Sequence, residues 1–305
     1  MKRKKLFRVS GFDNANAEIL LSHAFNHFDL LDVTHTNNVM HFEKIKEFLN
    51  NPKKMVEYDT VFIIGVDISE EIAQDIHMYN DYGEVKFVFI NNKVSKELSK
   101  YNFVIETESK QSNASTLAKY LILEGHLNDL NPLIDGSITS YTRCITDYIN
   151  GIENEWVKNL HELFVFYGTE YFISYVTAKF DHYDRFLFSE SDKAILFSLE
   201  QKKKQYIRST QVNVKEYSIG KYKVGVVFAE QYISELAKSV HESNTHFDVV
   251  AVINMRTGKI SYRTIHKHID CGFIANYFKG GGSREFAASP VQTDAVNALL
   301  NTVFS

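Results

Sequence analysis

The chain has 305 residues, 44% apolar and 24% charged, which suits two globular domains and excludes a disordered polymer. Its formal net charge of -4 argues against a broad basic nucleic-acid surface but leaves room for a small phosphate pocket. Two cysteines, Cys144 and Cys271, are too few and too far apart for a disulfide framework or a metal spacing, so reduced thiols in a cytoplasmic compartment are expected.

The first residues are basic but lead into no apolar segment, so no secretory signal is expected. No run of about 18 apolar residues predicts a membrane span. The lysines at 2–5 and 202–204 read as a solvated end and a solvated helix face.

In chain order, residues 5–10 predict a strand. Residues 16–26 predict a helix with Ile19, Leu20, His23 and Ala24 at helical spacing, and 29–33 a short strand. Residues 42–50 predict a helix stopped by Asn50, Asn51 and Pro52. The continuous apolar run at 60–66 suits a strand buried on both faces of a parallel sheet. A helix follows at 70–79, with Ser69 as N-cap and Glu70 and Glu71 at the positive end of its dipole. Residues 85–90 predict a further buried strand. This alternation implies parallel crossovers and an α/β domain.

From 112 to about 204 the pattern turns helical, with apolar stripes at 117–127, 138–149 and 155–167, and predicts a helical cap on the sheet. Residues 181–210 are charged and weakly periodic outside 194–199, so the domain boundary is placed at 204/205, giving domains 1–204 and 205–305. The second domain reads as a small α+β unit. It has strands at 222–228 and 249–254, a hairpin turn at 255–259 leading into 260–264, and helices at 229–240 and 293–303.

The strongest local signal is Gly280, Gly281, Gly282, Ser283, Arg284, Glu285, Phe286, Ala287 and Ala288. Three successive glycines allow a backbone to approach a ligand closely or to adopt positive φ. The stretch resembles the GGGHPKAAG motif of the substrate-binding domain of DHH phosphoesterases. Upstream, Ser261, Tyr262, Arg263 and Thr264 resemble a strand of the same domain, and residues 269–275 resemble the helix that precedes its glycines.

The N-terminal half resembles the oligoribonuclease-like branch of that superfamily in scaffold, with its chemistry thinned. Where the family opens on HxDxDG, this chain has Gly11, Asp13 and Ala15, so the first Asp alone is kept. The family Asp that ends a buried strand is matched by Asp67. The DHH triplet is replaced by Asn91, Asn92 and Lys93, and a later Asp by Thr142. Residues 159–163 and 167–173 look like that branch too.

The resemblance implies phosphodiester hydrolysis by two Mn2+ or Mg2+ ions, which lower the pKa of a bridging hydroxide and stabilise phosphoryl charge. Asp13 and Asp67 are expected to hold one weakly bound ion at most. No cofactor is expected, with Mn2+ or Mg2+ needed if activity is retained. His23, His27 and His35 near the first motif offer alternative ligands, but His23 on the apolar stripe reads as a core residue. Asp181, His182, Tyr183 and Asp184 read as a solvated turn. The resemblance gives Arg263, Gly280, Gly281, Gly282, Ser283 and Arg284 to substrate phosphate. Arginine suits that role through its planar, paired donors, although Arg263 paired with an acidic neighbour is equally compatible.

The leading expectation is a catalytically impaired protein that binds a nucleotide or short oligonucleotide phosphate in an interdomain cleft. The alternatives are an active phosphodiesterase or oligoribonuclease, and a scaffold that uses the fold as an interaction surface. A homodimer or larger assembly is compatible with each.

Overall fold

The computed structural model describes residues 2–25, 30–36, 40–81, 83, 85–108, 110–127, 138–182, 188–292, 294, 297 and 301–302, with the side chains of 180–182 left aside. It divides into two compact units, Met1–Leu196 and Phe197–Ser305.

In the first unit, β1 (Arg3–Val9), α1 (Phe12–Ala24), β2 (Leu31–Thr36), α2 (His41–Leu49), α3 (Pro52–Met55), β3 (Tyr58–Ile64), α4 (Glu70–Asp81) and β4 (Lys86–Ile90) alternate as expected. The helices α5 (Asn113–Leu123), α6 (Ile138–Ile149), α7 (Glu155–Tyr167), α8 (Thr169–His182) and α9 (Glu190–Gln211) follow. The sheet is wholly parallel in the order β2-β1-β3-β4. Its strands are apolar because both faces are covered. Phe7, Val61, Ile63 and Phe87 pack beneath α2 and α4, while Leu6, Phe62, Ile64 and Val88 pack beneath α1 and α5. Ser69 caps α4 by accepting from the Ile72 N–H at 3.3 Å.

Four local expectations are corrected. The lysines of β1 are not a solvated end: Lys4 and Lys5 are buried, Lys4 beside Asp59 and Lys5 at 3.0 Å from Asp32. Lys203 is also buried, and pairs with Glu200 at 2.8 Å. The first helix begins at Phe12, four residues early, so Asp13, Ala15 and Asn16 lie in its opening turns. Asp181 and His182 close α8, where a turn was expected, and Tyr183 and Asp184 lie outside the described residues.

The division between the units falls within α9, as does the 204/205 boundary expected from the sequence. The second unit adds β5 (Lys215–Ile219), β6 (Tyr222–Phe228), α10 (Ile233–Ser243), β7 (Val249–Asn254), β8 (Lys259–Arg263), α11 (Cys271–Tyr277), β9 (Gly281–Gly282) and β10 (Phe286–Pro290). They form one mixed sheet in the order β5-β6-β7-β8-β10-β9. β6 and β7 run parallel, whereas the other pairs are antiparallel. The helix expected at 293–303 falls largely outside the described residues. No helix among the described residues is long and apolar enough to cross a membrane.

Candidate functional site

In a parallel sheet, the crevice beyond the strand carboxyl ends is where connections diverge and ligands bind. With order β2-β1-β3-β4, the divergence lies between β1 and β3. A cavity of about 590 Å³ opens there. It is lined from β1 and the start of α1 by Val9 to Asn14, from β3 by Gly65 and Asp67, and from β4 by Asn91, Asn92 and Lys93. His41, Asn113, Tyr148, Ile149 and His161 complete the wall.

The structure therefore brings together Gly11, Asp13, Asp67, Asn91, Asn92 and Lys93. It leaves two expected positions out of the lining. Ala15 is fully buried among Phe12, Ile19 and Tyr141. Thr142 is buried in α6, where its hydroxyl donates to the Ile138 carbonyl at 3.1 Å. His35 also lies elsewhere, 3.2 Å from Glu170, while His23 is half-buried in α1 and His27 is outside the described residues.

Both retained carboxylates have protein donors. Asp13 accepts from the main-chain N–H of Asn113 at 2.7 Å and of Ala114 at 2.9 Å, one on each oxygen. These are orphan donors of the first turn of α5, so Asp13 caps that helix from a hundred residues away. Burial pushes its pKa up, against the hydrogen bonds from Ala114, Asn113 and Ser112. Asp67 is exposed and accepts from Asn91 Nδ2 at 2.9 Å. The same amide group donates to the Val66 carbonyl at 3.1 Å, and Asn91 Oδ1 accepts from the Lys93 N–H at 3.0 Å. A carboxylate in place of Asn91 would face Asp67 with two like charges unless a cation sat between them. The asparagine supplies a donor where a shared cation would otherwise be needed.

Asn14 ties this wall together. Its amide donates to the Val9 carbonyl at 3.3 Å, and its oxygen accepts from Asn113 Nδ2 at 3.1 Å. Gly65, at φ +64°, makes room: a Cβ there would come within 2.3 Å of Asn14 Oδ1. His161 packs edge-on to Phe12, with ring centroids 5.1 Å apart, and burial lowers its pKa, favouring the neutral imidazole.

The donor set does not fit a two-metal centre. Such a centre needs several carboxylate or imidazole ligands per ion. Asp13 is occupied by main-chain donors, and no group of three His, Cys, Asp or Glu among the described residues is arranged to hold a metal.

In the second unit, the glycine segment is a strand edge, not a free loop. Gly281 and Gly282 pair with Ala288 and Ala287 of β10. A Cβ on Gly280 would approach the Ala288 carbonyl oxygen to 2.1 Å, and one on Gly282 would approach Ala287 Cα to 2.4 Å. Two of the glycines thus have a packing reason of their own. The Gly280 N–H donates to the Ala275 carbonyl at 2.8 Å and the Ser283 N–H to the Phe286 carbonyl at 2.8 Å, so neither faces outward.

Arg263 ends β8 opposite Phe286, with its guanidinium 5.1 Å from that ring's centroid, and donates to Ser234 Oγ at 3.2 Å. Among the described residues it pairs with no carboxylate, and its Nε is buried without an acceptor. Arg284 is exposed in the adjoining turn, which is fixed by the Cys271 N–H donating to the Arg284 carbonyl at 2.8 Å.

The sequence patterns did not assign Asn14, Asn113, His41, Tyr148 or His161 to the site. For Asn14 the signal was its place inside the first motif. For Asn113 it was the N-cap position of Ser112, which accepts from the Ser115 N–H at 3.0 Å.

No family model matches the chain. It is 25% identical over 266 residues to oligoribonuclease NrnB of Bacillus subtilis (strain 168), a match covering 84% of this chain and 65% of that relative. The chain thus spans just under two thirds of that relative's length. Among solved structures, the pGpG-specific phosphodiesterase PggH from Vibrio cholerae aligns with a TM-score of 0.50 at 8% identity, covering 99% of this chain and 97% of that one. RecJ from Thermus thermophilus in complex with Mn2+ aligns at a TM-score of 0.48 and 11% identity, covering 99% of this chain and 51% of that one.

Proposed function

We propose that the chain is a DHH phosphoesterase-superfamily protein that binds the phosphate of a nucleotide or short oligonucleotide without efficient hydrolysis, a reading supported by its likeness to the oligoribonuclease. The observation that carries this reading is the state of the two retained carboxylates. Asp13 accepts a main-chain N–H of α5 on each oxygen, and Asp67 accepts from Asn91. Lys93 stands where the family pattern has an imidazole and sets one positive charge against Asp13 and Asp67 in a cavity otherwise lined mainly by amides and aromatic rings. We read this wall as one that holds a phosphate in its ground state, with Lys93 and the asparagine amides as donors.

Binding rests on Arg263 as well. Its guanidinium has no carboxylate partner among the described residues, and a buried Nε without an acceptor favours an anion. Arg284 stands in the next turn, with Ser283 and the glycine edge beside it. Arg263→Ala should weaken nucleotide binding by more than about tenfold, roughly 1.4 kcal/mol, with the circular dichroism spectrum unchanged. Normal affinity in that variant would remove Arg263 from the site. The likeness to an oligoribonuclease makes that activity the second reading. Manganese-dependent cleavage of a short oligoribonucleotide, lost on Asp67→Ala, would favour it.

A further inference from the structure

A second cavity lies in the first unit, on the sheet face covered by α2. It has a volume of about 250 Å³ and is lined by Lys5, Phe7, Thr34, Lys44, Glu47, Phe48, Asn51 and Lys54. None of these residues belongs to the crevice at the strand ends. Three lysines line it from three elements: Lys5 from β1, Lys44 from α2 and Lys54 from α3.

The site is built, not incidental. The Lys5 side chain is 5% exposed and is held at 3.0 Å from Asp32, its register partner on β2. Its ammonium lies 5.3 Å from the centre of the Phe7 ring and 5.9 Å from that of Tyr58. Asp32 cannot neutralise Lys5 alone, because it also accepts from the Tyr58 hydroxyl and lies 3.9 Å from Arg3. Lys44 donates to the His35 carbonyl at 2.9 Å, which leaves two of its N–H groups for a ligand. Lys54 and Glu47 form no ion pair among the described residues. The wall itself carries three lysines against one carboxylate, Glu47. Burial lowers the Lys5 pKa against the pull of Asp32, and the charges of Lys54 and Arg3 push the same way.

We propose that this cavity is a binding site for a compact phosphoryl anion, with inorganic phosphate as the ligand that fits it whole. Size supports that class. At about 250 Å³ the cavity lies just below the roughly 300–1,000 Å³ of pockets for drug-sized ligands, with room for a phosphate group. Charge supports it as well, since a dianion shared between Lys44 and Lys54 relieves the repulsion of Lys5 by Lys54 and accepts charge-assisted hydrogen bonds. Asn51 and Thr34 add polar side chains to the wall, although the Asn51 oxygen also caps α3 through the Lys54 N–H at 3.2 Å.

The test is calorimetric titration of the full chain with inorganic phosphate at low ionic strength. Wild type is compared with Lys44→Gln/Lys54→Gln, Glu47→Gln and Arg263→Ala. The first variant keeps Lys5 and the core beneath it, and circular dichroism checks its fold. Saturable binding should weaken at least about tenfold in the double variant, tighten in Glu47→Gln and persist in Arg263→Ala. A parallel titration with AMP separates the sources. AMP affinity that ignores the two lysines supports a site for free phosphate, and AMP affinity that falls with them supports a site for a nucleotide's terminal phosphate. Absence of saturable phosphate binding in wild type, or binding unchanged in the double variant, overturns the proposal. So does phosphate binding that disappears only with Arg263→Ala.

Discussion

Asp13 is the residue where sequence and structure part most usefully. Its position within the first motif marks it as a ligand, yet its carboxylate does the work of an N-cap for α5. Asp13→Ala leaves two main-chain N–H groups without an acceptor and should lower stability by about 1–2 kcal/mol in urea unfolding. The pH dependence has a definite sign. Burial raises this carboxyl above its usual 3.8, so the folded chain keeps the proton to higher pH than the unfolded chain. Its contribution to stability therefore falls as pH rises from about 3.8 through the raised value and is level above that. The unfolding free energy of wild type minus that of Asp13→Asn should show this fall, and a flat difference would count against burial of the charge. The capping role could not be read from sequence, because its partners lie at 113 and 114 and the helix start was placed at 117.

At the scale of elements, strands were legible and two other segments were not. Continuous apolar runs gave β3 and β4 directly, since both faces of the parallel sheet are covered. β5 was missed because nearly all of it is exposed and its pairing with β6 defines it. The 22-residue α9 lay in a segment read as charged and weakly periodic, and its bounds were not assigned. Its order comes from tertiary contacts: Asp192 is buried and accepts from Lys179 at 2.6 Å, Tyr175 at 2.6 Å and Ser189. Burial alone would raise the Asp192 pKa, but those donors outweigh it and hold it low. Asp192→Ala removes the carboxylate shared by Lys179, Tyr175 and Ser189 and breaks a buried ion pair, which should cost about 3–5 kcal/mol, read as a lowered urea midpoint. The glycine segment gives a second contrast. Gly280→Ala must push against the Ala288 carbonyl and should destabilise the second unit. Gly281→Ala meets only Asn276 Oδ1 at 3.7 Å and should leave stability nearly unchanged. Equal losses of stability would contradict the packing described for β9.

For the whole molecule, the motifs pointed to a family resemblance, and six of the eight positions expected in its catalytic motifs line one cavity. Ala15 and Thr142 fell into the core because a motif position says nothing of which helix face it occupies. The proposed function turns on a scaffold that keeps a phosphate site after its metal-ligand positions have been given other partners. One assay tests it: a labelled short oligoribonucleotide incubated with the full chain and Mn2+, with bound and cleaved fractions measured together. Saturable binding is expected, weakened in Arg263→Ala, with cleavage no faster than in Asp67→Ala. Multiple turnovers in wild type that vanish in Asp67→Ala would contradict it.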